Sequence, residues 1–215
     1  MSSTDLIIFD CDGVLVDSES IVCRILAEEM SRLGMQTTAE ELDEQFSGRP
    51  AKDCLVEIEK RFGGPLPDNY FGNTERRIRE AFQAELQPVV GIEGLLEQLQ
   101  QIGLRSCVAS SGSHQKMQLT LNKTGLYGYF DGRIFSAEDV SRGKPWPELF
   151  LYAAKAMGVV PERCLVVEDS IAGVSAAVSA RMRVVGYSAH PVRGPQLEQE
   201  GARVVTDMMA VLNFI

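Results

Sequence analysis

The residues best suited to chemistry stand near the N-terminus, where two aspartates follow an apolar run. Asp10 and Asp12 come directly after Leu6–Phe9, four apolar residues that predict a short buried strand of a parallel sheet. Side chains two positions apart on an extended backbone project to the same face, so both carboxylates can reach one reacting centre. Gly13 then allows a sharp turn. Because ligands of open α/β sheets bind beyond the carboxyl ends of the strands, this pattern predicts a metal or phosphate site.

The same residues admit simpler interpretations. Aspartate and glycine are ordinary turn residues, so a strand that ends in a solvated turn would show them as well. A calcium-binding loop also begins Asp-x-Asp, but its glycine is the sixth residue, whereas Gly13 is the fourth here. The calcium loop is therefore disfavoured, and the choice between a turn and a site depends on the other strand ends.

Three further polar features follow predicted strands or precede a predicted helix. Ser110 ends a second buried run, and Glu168 and Asp169 end a third. Lys144 lies in a loop before a helix, between a glycine and a proline. Taken singly, the serine or the acids could cap a helix, and the lysine could be solvated. Together they favour a site, because the fold would bring them and Asp10 to one edge of one sheet.

Charge counting indicates what this edge binds. The four carboxylates would sum to about −4, and like charges at close range strongly disfavour mutual ionisation. A divalent cation relieves that repulsion, and ligands that are all oxygen suit Mg²⁺. Lys144 and Ser110 suit phosphate oxygens, so the set is typical of phosphoryl transfer. A Walker P-loop is excluded, because Glu138 stands where that motif requires glycine.

Alternating strands and helices must position these residues. After Pro88, apolar helix faces separate a series of short strand-like runs, the last of them at 203–205. Strands that alternate with helices predict a parallel sheet with right-handed crossovers. We therefore predict an α/β fold with a doubly wound, Rossmann-like parallel-sheet core.

A segment of different character interrupts this pattern after the first strand. It contains four stretches with apolar residues at helical spacing, and none that indicates a strand. Thr38 and Glu41 can form a capping box for the second of these helices. We predict a core domain of residues 1–17 and 88–215 and an inserted α-helical cap subdomain of residues 18–87.

Composition limits the partners of the chain. The formal net charge of −9 on 215 residues opposes binding to nucleic acid. The five cysteines are odd in number and form no Cys-x-x-Cys pair, which favours reduced thiols. No apolar run is long enough to span a membrane, and Leu6–Phe9 is too short for a signal-peptide core. We expect a cytoplasmic protein without nucleic-acid or membrane partners, a monomer with a dimer as the alternative.

Four motifs resemble those of the haloacid dehalogenase-like hydrolases, in the branch with an α-helical cap inserted after the first strand. They occur in the family's order, and the resemblance covers nearly the whole chain. The motifs are Asp10-Cys-Asp-Gly-Val-Leu-Val-Asp17, Val108-Ala-Ser-Ser-Gly-Ser113, Gly143-Lys-Pro-Trp-Pro147 and Val166-Val-Glu-Asp-Ser170. Such a set is specific for the superfamily and weak for the substrate.

The resemblance implies a role for each residue of the core site. Asp10 would be the nucleophile that forms an aspartyl-phosphate. Asp12 would protonate the leaving alkoxide and then deprotonate the attacking water. Ser110 and Lys144 would hold the phosphoryl oxygens.

The resemblance also implies a metal site. Mg²⁺ would be bound by Asp10, the Asp12 carbonyl and Asp169, with Glu168 assisting. The founding dehalogenases lack the second aspartate and need no metal, so the presence of Asp12 favours phosphate chemistry over carbon–halogen chemistry.

Residues of two loops are expected to bind the substrate. Ser111 and Gly112 follow the predicted phosphate-binding serine, and Gly48, Arg49 and Lys52 belong to a glycine-hinged, cationic loop of the cap. Closure of the cap would exclude water other than the attacking one. We expect its loop to meet the end of the substrate that carries no phosphate.

The resemblance favours a Mg²⁺-dependent phosphatase of a small phosphorylated metabolite, a sugar phosphate or a sugar-acid phosphate such as 6-phosphogluconate. One alternative is a β-phosphoglucomutase-type phosphosugar mutase. Mutases of that group carry a histidine and a lysine in the cap where this chain has Val22 and Ser47, which favours hydrolysis. The other alternative is a non-catalytic protein that uses the same edge to bind a phosphorylated ligand.

Overall fold

The computed structural model of the chain describes residues 4–46, 51–188 and 193–215, with residues 51–53 described by their backbone alone. The chain divides into two compact units, one of residues 1–16 and 87–215 and the other of residues 17–86. Within the described residues, no helix combines the length and the apolar character that crossing a bilayer requires.

A six-stranded sheet forms the centre of the first unit. Its strands are β1 (Leu6–Phe9), β2 (Arg105–Ser110), β3 (Ile134–Ser136), β4 (Cys164–Glu168), β5 (Arg183–Tyr187) and β6 (Arg203–Val205). They lie in the order β3-β2-β1-β4-β5-β6, and every neighbouring pair is parallel. The predicted parallel, Rossmann-like α/β fold is therefore confirmed.

The direction in which strands are added reverses at β1. The chain first adds β2 and β3 on one side of β1, then returns to add β4, β5 and β6 on the other side. The crevice at such a switch point is where open α/β sheets bind ligands, outside the carboxyl ends of the strands. Because β1 and β4 are neighbours there, Asp10 and Glu168 stand at the mouth of that crevice.

Helices and short 3₁₀ turns accompany the sheet. The helices are α5 (Ile92–Gln101), α6 (His114–Lys123), α7 (Glu148–Ala156), α8 (Ile171–Ser179) and α9 (Arg193–Gln199). Side chains alternate between the two faces of a strand. Leu6 and Ile8 accordingly pack into one apolar cluster with residues of α7 and α8. Phe9 instead contacts the ring of Phe130, with the centroids 6.1 Å apart.

The chain turns tightly after β1. The amide of Leu15 donates to the Cys11 carbonyl and the amide of Gly13 donates to the Val16 carbonyl, both at 2.9 Å. Gly13 has a φ of 74°, in the left-handed region that favours glycine. A Cβ at this position would also clash with the carboxylate of Asp169. The turn therefore requires glycine both for its backbone conformation and for its close approach to an acidic side chain.

The second unit is helical in its described residues, and the four predicted helices all form. They are α1 (Glu19–Arg32), α2 (Ala39–Phe46), α3 (Ala51–Phe62) and α4 (Tyr70–Glu85). The predicted capping box before α2 is confirmed, because the Glu41 amide donates to Thr38 Oγ1 and the Thr38 amide donates to Glu41 Oε2. Glu29 of α1 is buried and accepts hydrogen bonds from Arg32 and from Arg77 of α4, each at 2.6 Å.

The five cysteines are free thiols. Four of them are buried, and Cys54 is partly exposed. Burial raises the pKa of the Cys107 thiol well above its ordinary value. The free thiols agree with the prediction of reduced cysteines, and the four buried ones lie among packed residues of the two units.

Candidate active site

A buried ion cluster lies at the carboxyl ends of β1 and β4. The Lys144 ammonium donates one hydrogen bond to Asp10 Oδ1 and another to Glu168 Oε1, the latter at 2.6 Å. The side chains of Lys144, Glu168 and Asp10 are only 4%, 1% and 9% exposed. The ammonium also lies 5.0 Å from the centroid of the Phe150 ring on α7. Lys144 is thus a buried cation of the site and not a solvated loop residue.

The two-residue period of the strands explains why these side chains meet. Leu6 and Ile8 of β1 and Val166 of β4 face the apolar cluster that contains α7 and α8. Asp10 and Glu168 continue those two series on the same side of the sheet. Lys144 lies in the loop that leads into α7, so it approaches both carboxylates from that side.

The two residues that precede α8, Asp169 and the N-cap Ser170, hold the Glu168 carboxylate. Its Oε2 accepts hydrogen bonds from the amides of Asp169 and Ser170, both at 2.8 Å, and from Ser170 Oγ at 2.9 Å. Ser170 also caps the helix by accepting from the amide of Gly173. A Cβ at Gly173 would overlap the Glu168 carboxylate, so this helical position requires glycine. With Oε1 on Lys144, both oxygens of Glu168 are engaged within the protein.

Asp12 has a different cationic partner, which sequence reasoning missed. Lys116 Nζ donates to Asp12 Oδ2 at 2.7 Å. Lys116 lies in the first turn of α6, where its own amide donates to the N-cap Ser113 Oγ at 3.2 Å. A cation in the first turn of a helix opposes the helix dipole, and this is the one local signal that could have drawn attention to Lys116.

Ser110 and its loop lie beside Asp12. Ser110 is buried at the end of β2, and its Oγ accepts from the amide of Gly112 at 3.1 Å. The carbonyl of Gly112 accepts from Ser136 Oγ at 2.7 Å. A Cβ at Gly112 would lie 3.5 Å from Ser110 Oγ and 3.8 Å from Asp12 Oδ2, whereas Ser111 is exposed. The structure therefore brings the predicted serine loop to the predicted acid.

Asp169 also lies close to a cation that sequence reasoning missed. Arg193 Nη1, at the start of α9, is 3.7 Å from Asp169 Oδ2. Together with Lys144 and Lys116, it places three cations among the four carboxylates of this edge. The sequence-based charge of about −4 counted the four carboxylates alone, and Lys144 was the one cation that the sequence placed beside them, so the edge is less negative than that sum indicated.

The pKa values show how burial and charge compete here. Burial is the largest cause of the shift at Asp10, and together with the neighbouring carboxylates of Glu168 and Asp12 it outweighs the opposing Lys144 ammonium, so the pKa of Asp10 is raised to about 7. Burial lowers the pKa of Lys144, but Asp10 and Glu168 outweigh it, so the net shift is upward and the lysine is charged. The Asp10 carboxylate is therefore incompletely compensated by the protein's own cations.

The residues suit a hard cation only in part. Among the described residues, no three carboxylates, imidazoles or thiols are grouped closely enough to hold a metal ion as they stand. Glu168, expected to assist in metal binding, is instead committed to Lys144 and to the residues that precede α8. The other expected donors are all oxygen, as Mg²⁺ prefers, and the Asp169 carboxylate lies against the turn that follows Asp12. Asp10, the Asp12 carbonyl and Asp169 therefore fit Mg²⁺ by the chemistry of their donor atoms, and their assignment as its ligands stays a prediction.

The expected cap residues lie largely outside the described structure. Gly48 and Arg49 fall between residues 46 and 51, and only the backbone of Lys52 is described, within α3. Ser47 falls in the same gap. Their assignment to substrate selection stays a prediction.

The Glu168 contacts predict that a neutral amide cannot replace this carboxylate. In a Glu168→Gln variant, the NH₂ group must face either Lys144 or the donors that precede α8, so one buried set of donors loses its acceptor. We expect the free energy of unfolding to fall by about 1–3 kcal/mol, measured by urea denaturation. The exposed Glu97→Gln on α5 is the matched control and should change stability little. If the two variants were equally stable, the hydrogen bonds assigned to the Glu168 carboxylate would be contradicted.

Comparison with known proteins places this geometry in context. The family model for haloacid dehalogenase-like hydrolases matches residues 4–181. The chain is 34% identical over 196 residues to the 6-phosphogluconate phosphatase of Escherichia coli (strain K12), which covers 91% of this chain and 87% of that protein. It is 28% identical over 213 residues to a phosphorylated carbohydrates phosphatase of Thermotoga maritima, covering 98% of each.

A solved structure agrees with the fold over nearly the full length. It is a haloacid dehalogenase family hydrolase from Deinococcus radiodurans, crystallised with bound phosphate and sodium. The TM-score is 0.85 and the sequence identity 28%, and the match covers 99% of this chain and 94% of that chain.

Proposed function

Because the chain belongs to the haloacid dehalogenase-like hydrolase family, as its motifs predicted, we propose that it is a Mg²⁺-dependent phosphatase. Its substrate is a small phosphorylated metabolite, a sugar phosphate or a sugar-acid phosphate such as 6-phosphogluconate, in keeping with the names of its relatives. One observation carries the proposal: Asp10 is buried against Lys144, with Asp12 and Ser110 at the same sheet edge. That arrangement supplies a nucleophile, a phosphate-binding cation, a hydroxyl and an acid.

In the first half-reaction, an Asp10 oxygen attacks phosphorus and the bond to the substrate oxygen breaks. Asp12 donates a proton to that leaving oxygen, so the product is an alcohol. Lys144 and the Ser110 hydroxyl stabilise the charge on the phosphoryl oxygens. Since Glu168 anchors Lys144, the ammonium stays beside Asp10 while the phosphoryl group arrives.

In the second half-reaction, the aspartyl-phosphate on Asp10 is hydrolysed. Asp12, now ionised, takes a proton from water, and the water oxygen attacks phosphorus. The bond between phosphorus and the Asp10 oxygen breaks, which releases inorganic phosphate and restores the carboxylate. Asp12 must act as an acid and then as a base, so a single fixed carboxylate serves both steps.

Mg²⁺ would be held by Asp10, the Asp12 carbonyl and Asp169. When bound, it supplies positive charge that neutralises the phosphoryl oxygens and reduces their repulsion of the Asp10 carboxylate. The chemistry of the donors supports this assignment, because all of them are oxygen atoms and the Asp169 carboxylate lies against the turn that follows Asp12.

The helical unit is proposed as the cap that selects the substrate. The core edge can recognise only the phosphoryl group that all substrates share, so discrimination must come from elsewhere. Gly48 and Arg49 of the cap loop, together with Lys52 at the start of α3, are the proposed contacts for the rest of the substrate. Val22 lies on α1 and is aliphatic, so it cannot relay a proton as the mutase histidine would. Hydrolysis is therefore favoured over phosphosugar transfer.

Asp10→Asn should abolish turnover, because a neutral amide cannot attack phosphorus. We expect phosphate release from p-nitrophenyl phosphate and from 6-phosphogluconate to fall by ~10³-fold or more. Asp131→Asn, an exposed change of the same kind, serves as the control and should retain activity. A folded Asp10→Asn variant with most of its activity would show that another group is the nucleophile.

Activity should depend on added Mg²⁺. Phosphate release should stop in the presence of a chelator and return when Mg²⁺ is supplied in excess. Ca²⁺ should inhibit, because its larger and looser ligand shell does not hold the reacting groups in line. Full activity in chelator would rule out the metal-dependent mechanism and reopen chemistry of the dehalogenase type.

A further inference from the structure

Lys116 is the one lysine beside Asp12 that none of the four sequence motifs contains. Motif residues account for Asp10, Asp12, Ser110 and Lys144, whereas Lys116 follows the end of the second motif by three positions. Its ammonium nevertheless lies 2.7 Å from Asp12 Oδ2. This cation therefore binds the carboxylate that donates and accepts the proton in the proposed mechanism.

Lys116 is held in place both at its backbone and at its ammonium group. Its amide donates to the N-cap Ser113 Oγ, which holds its backbone in the first turn of α6. Its stem passes the serine loop, since a Cβ at Gly112 would lie 3.6 Å from Lys116 Cδ and 3.8 Å from Asp12 Oδ2. The salt bridge therefore connects the loop after β2 to the turn after β1.

Helix stability does not explain a lysine at this position. The first turn of a helix favours acidic side chains and disfavours cations, because unpaired amides give it a partial positive charge. Lys116 nevertheless places its ammonium 2.7 Å from Asp12 Oδ2, so the cation opposes the helix dipole but lies beside a carboxylate. This placement indicates a role that depends on Asp12.

We infer that Lys116 is the positioning residue for Asp12: by binding Oδ2, it fixes the orientation in which this carboxylate transfers the proton. The inference deepens the proposed function and rests on it. A carboxylate is free to rotate about its terminal bond, and a hydrogen bond to one oxygen removes that freedom. General acid catalysis requires the donor oxygen within hydrogen-bond reach of the leaving oxygen, so orientation directly affects the rate.

The leaving group makes this role measurable. The alkoxide of a sugar phosphate is a poor leaving group and needs the proton from Asp12 as its bond to phosphorus breaks. The p-nitrophenolate ion is stable without a proton, so its release depends little on the acid. The value of kcat/KM reports the first half-reaction for each substrate. Loss of the positioning residue should therefore lower kcat/KM for the alkyl ester far more than for the aryl ester.

The experiment compares Lys116→Met, Lys116→Arg and Asp12→Asn with wild type on 6-phosphogluconate and p-nitrophenyl phosphate at saturating Mg²⁺. Methionine keeps the apolar stem beside Gly112 and removes the charge. For Lys116→Met we expect kcat/KM to fall about 10-fold or more on 6-phosphogluconate and less than about 3-fold on p-nitrophenyl phosphate. Lys116→Arg should restore most of the loss, because one hydrogen bond from a cation is sufficient. Lys123→Met, in the last turn of α6, is the matched control.

The outcomes distinguish a failure of the inference about Lys116 from a failure of the proposed phosphatase function. Equal losses on both substrates, together with weaker inhibition by inorganic phosphate, would make Lys116 a phosphate-binding residue and overturn the inference. A selective loss in Asp12→Asn without one in Lys116→Met would also overturn it and leave the phosphatase intact. No wild-type turnover of either ester would overturn the proposed function and this inference with it.

Discussion

The contact between Lys144 and the carboxylates of Asp10 and Glu168 is the interaction on which the rest of the site depends. Burying a charge costs several kcal/mol unless partners replace water, and a buried ion pair is weak evidence for a gain in stability. Here β1 and β4 are neighbours at the switch point, so one ammonium can reach both strand ends. The cluster is better explained by its chemistry, because it sets the proposed nucleophile beside the proposed phosphate-binding cation.

Asp10 and Asp12 are separated by a single residue but have different surroundings, and this difference supports their different proposed roles. Asp10 faces the α7 and α8 side, is nearly buried, and pairs with Lys144. Asp12 is 26% exposed and pairs with Lys116 of α6. A buried carboxylate close to the proposed phosphate-binding lysine suits the proposed attack on phosphorus. A more exposed carboxylate suits the proposed proton exchange with the leaving group and with water.

Local patterns made much of this predictable, and non-local contacts account for the rest. Leu6–Phe9 and the Thr38 capping box were readable because their signals lie within a few residues. The pairing of Asp12 with Lys116 spans 104 residues. Its only local sign in the sequence is a lysine in the first turn of a helix, where the helix dipole disfavours a cation. The order of the strands, and with it the meeting of Asp10 and Glu168, likewise depends on which strands become neighbours.

The central claim is that Asp10 carries the phosphoryl group during the reaction, and chemical trapping tests it most directly. The enzyme would be mixed with substrate and Mg²⁺, quenched in acid within milliseconds, and treated with borohydride, which reduces an acyl phosphate but not a free carboxylate. We predict that peptide mass spectrometry finds homoserine at position 10, only when substrate is present. Phosphate release without any modification of Asp10, or reduction of a different acidic residue, would contradict the account.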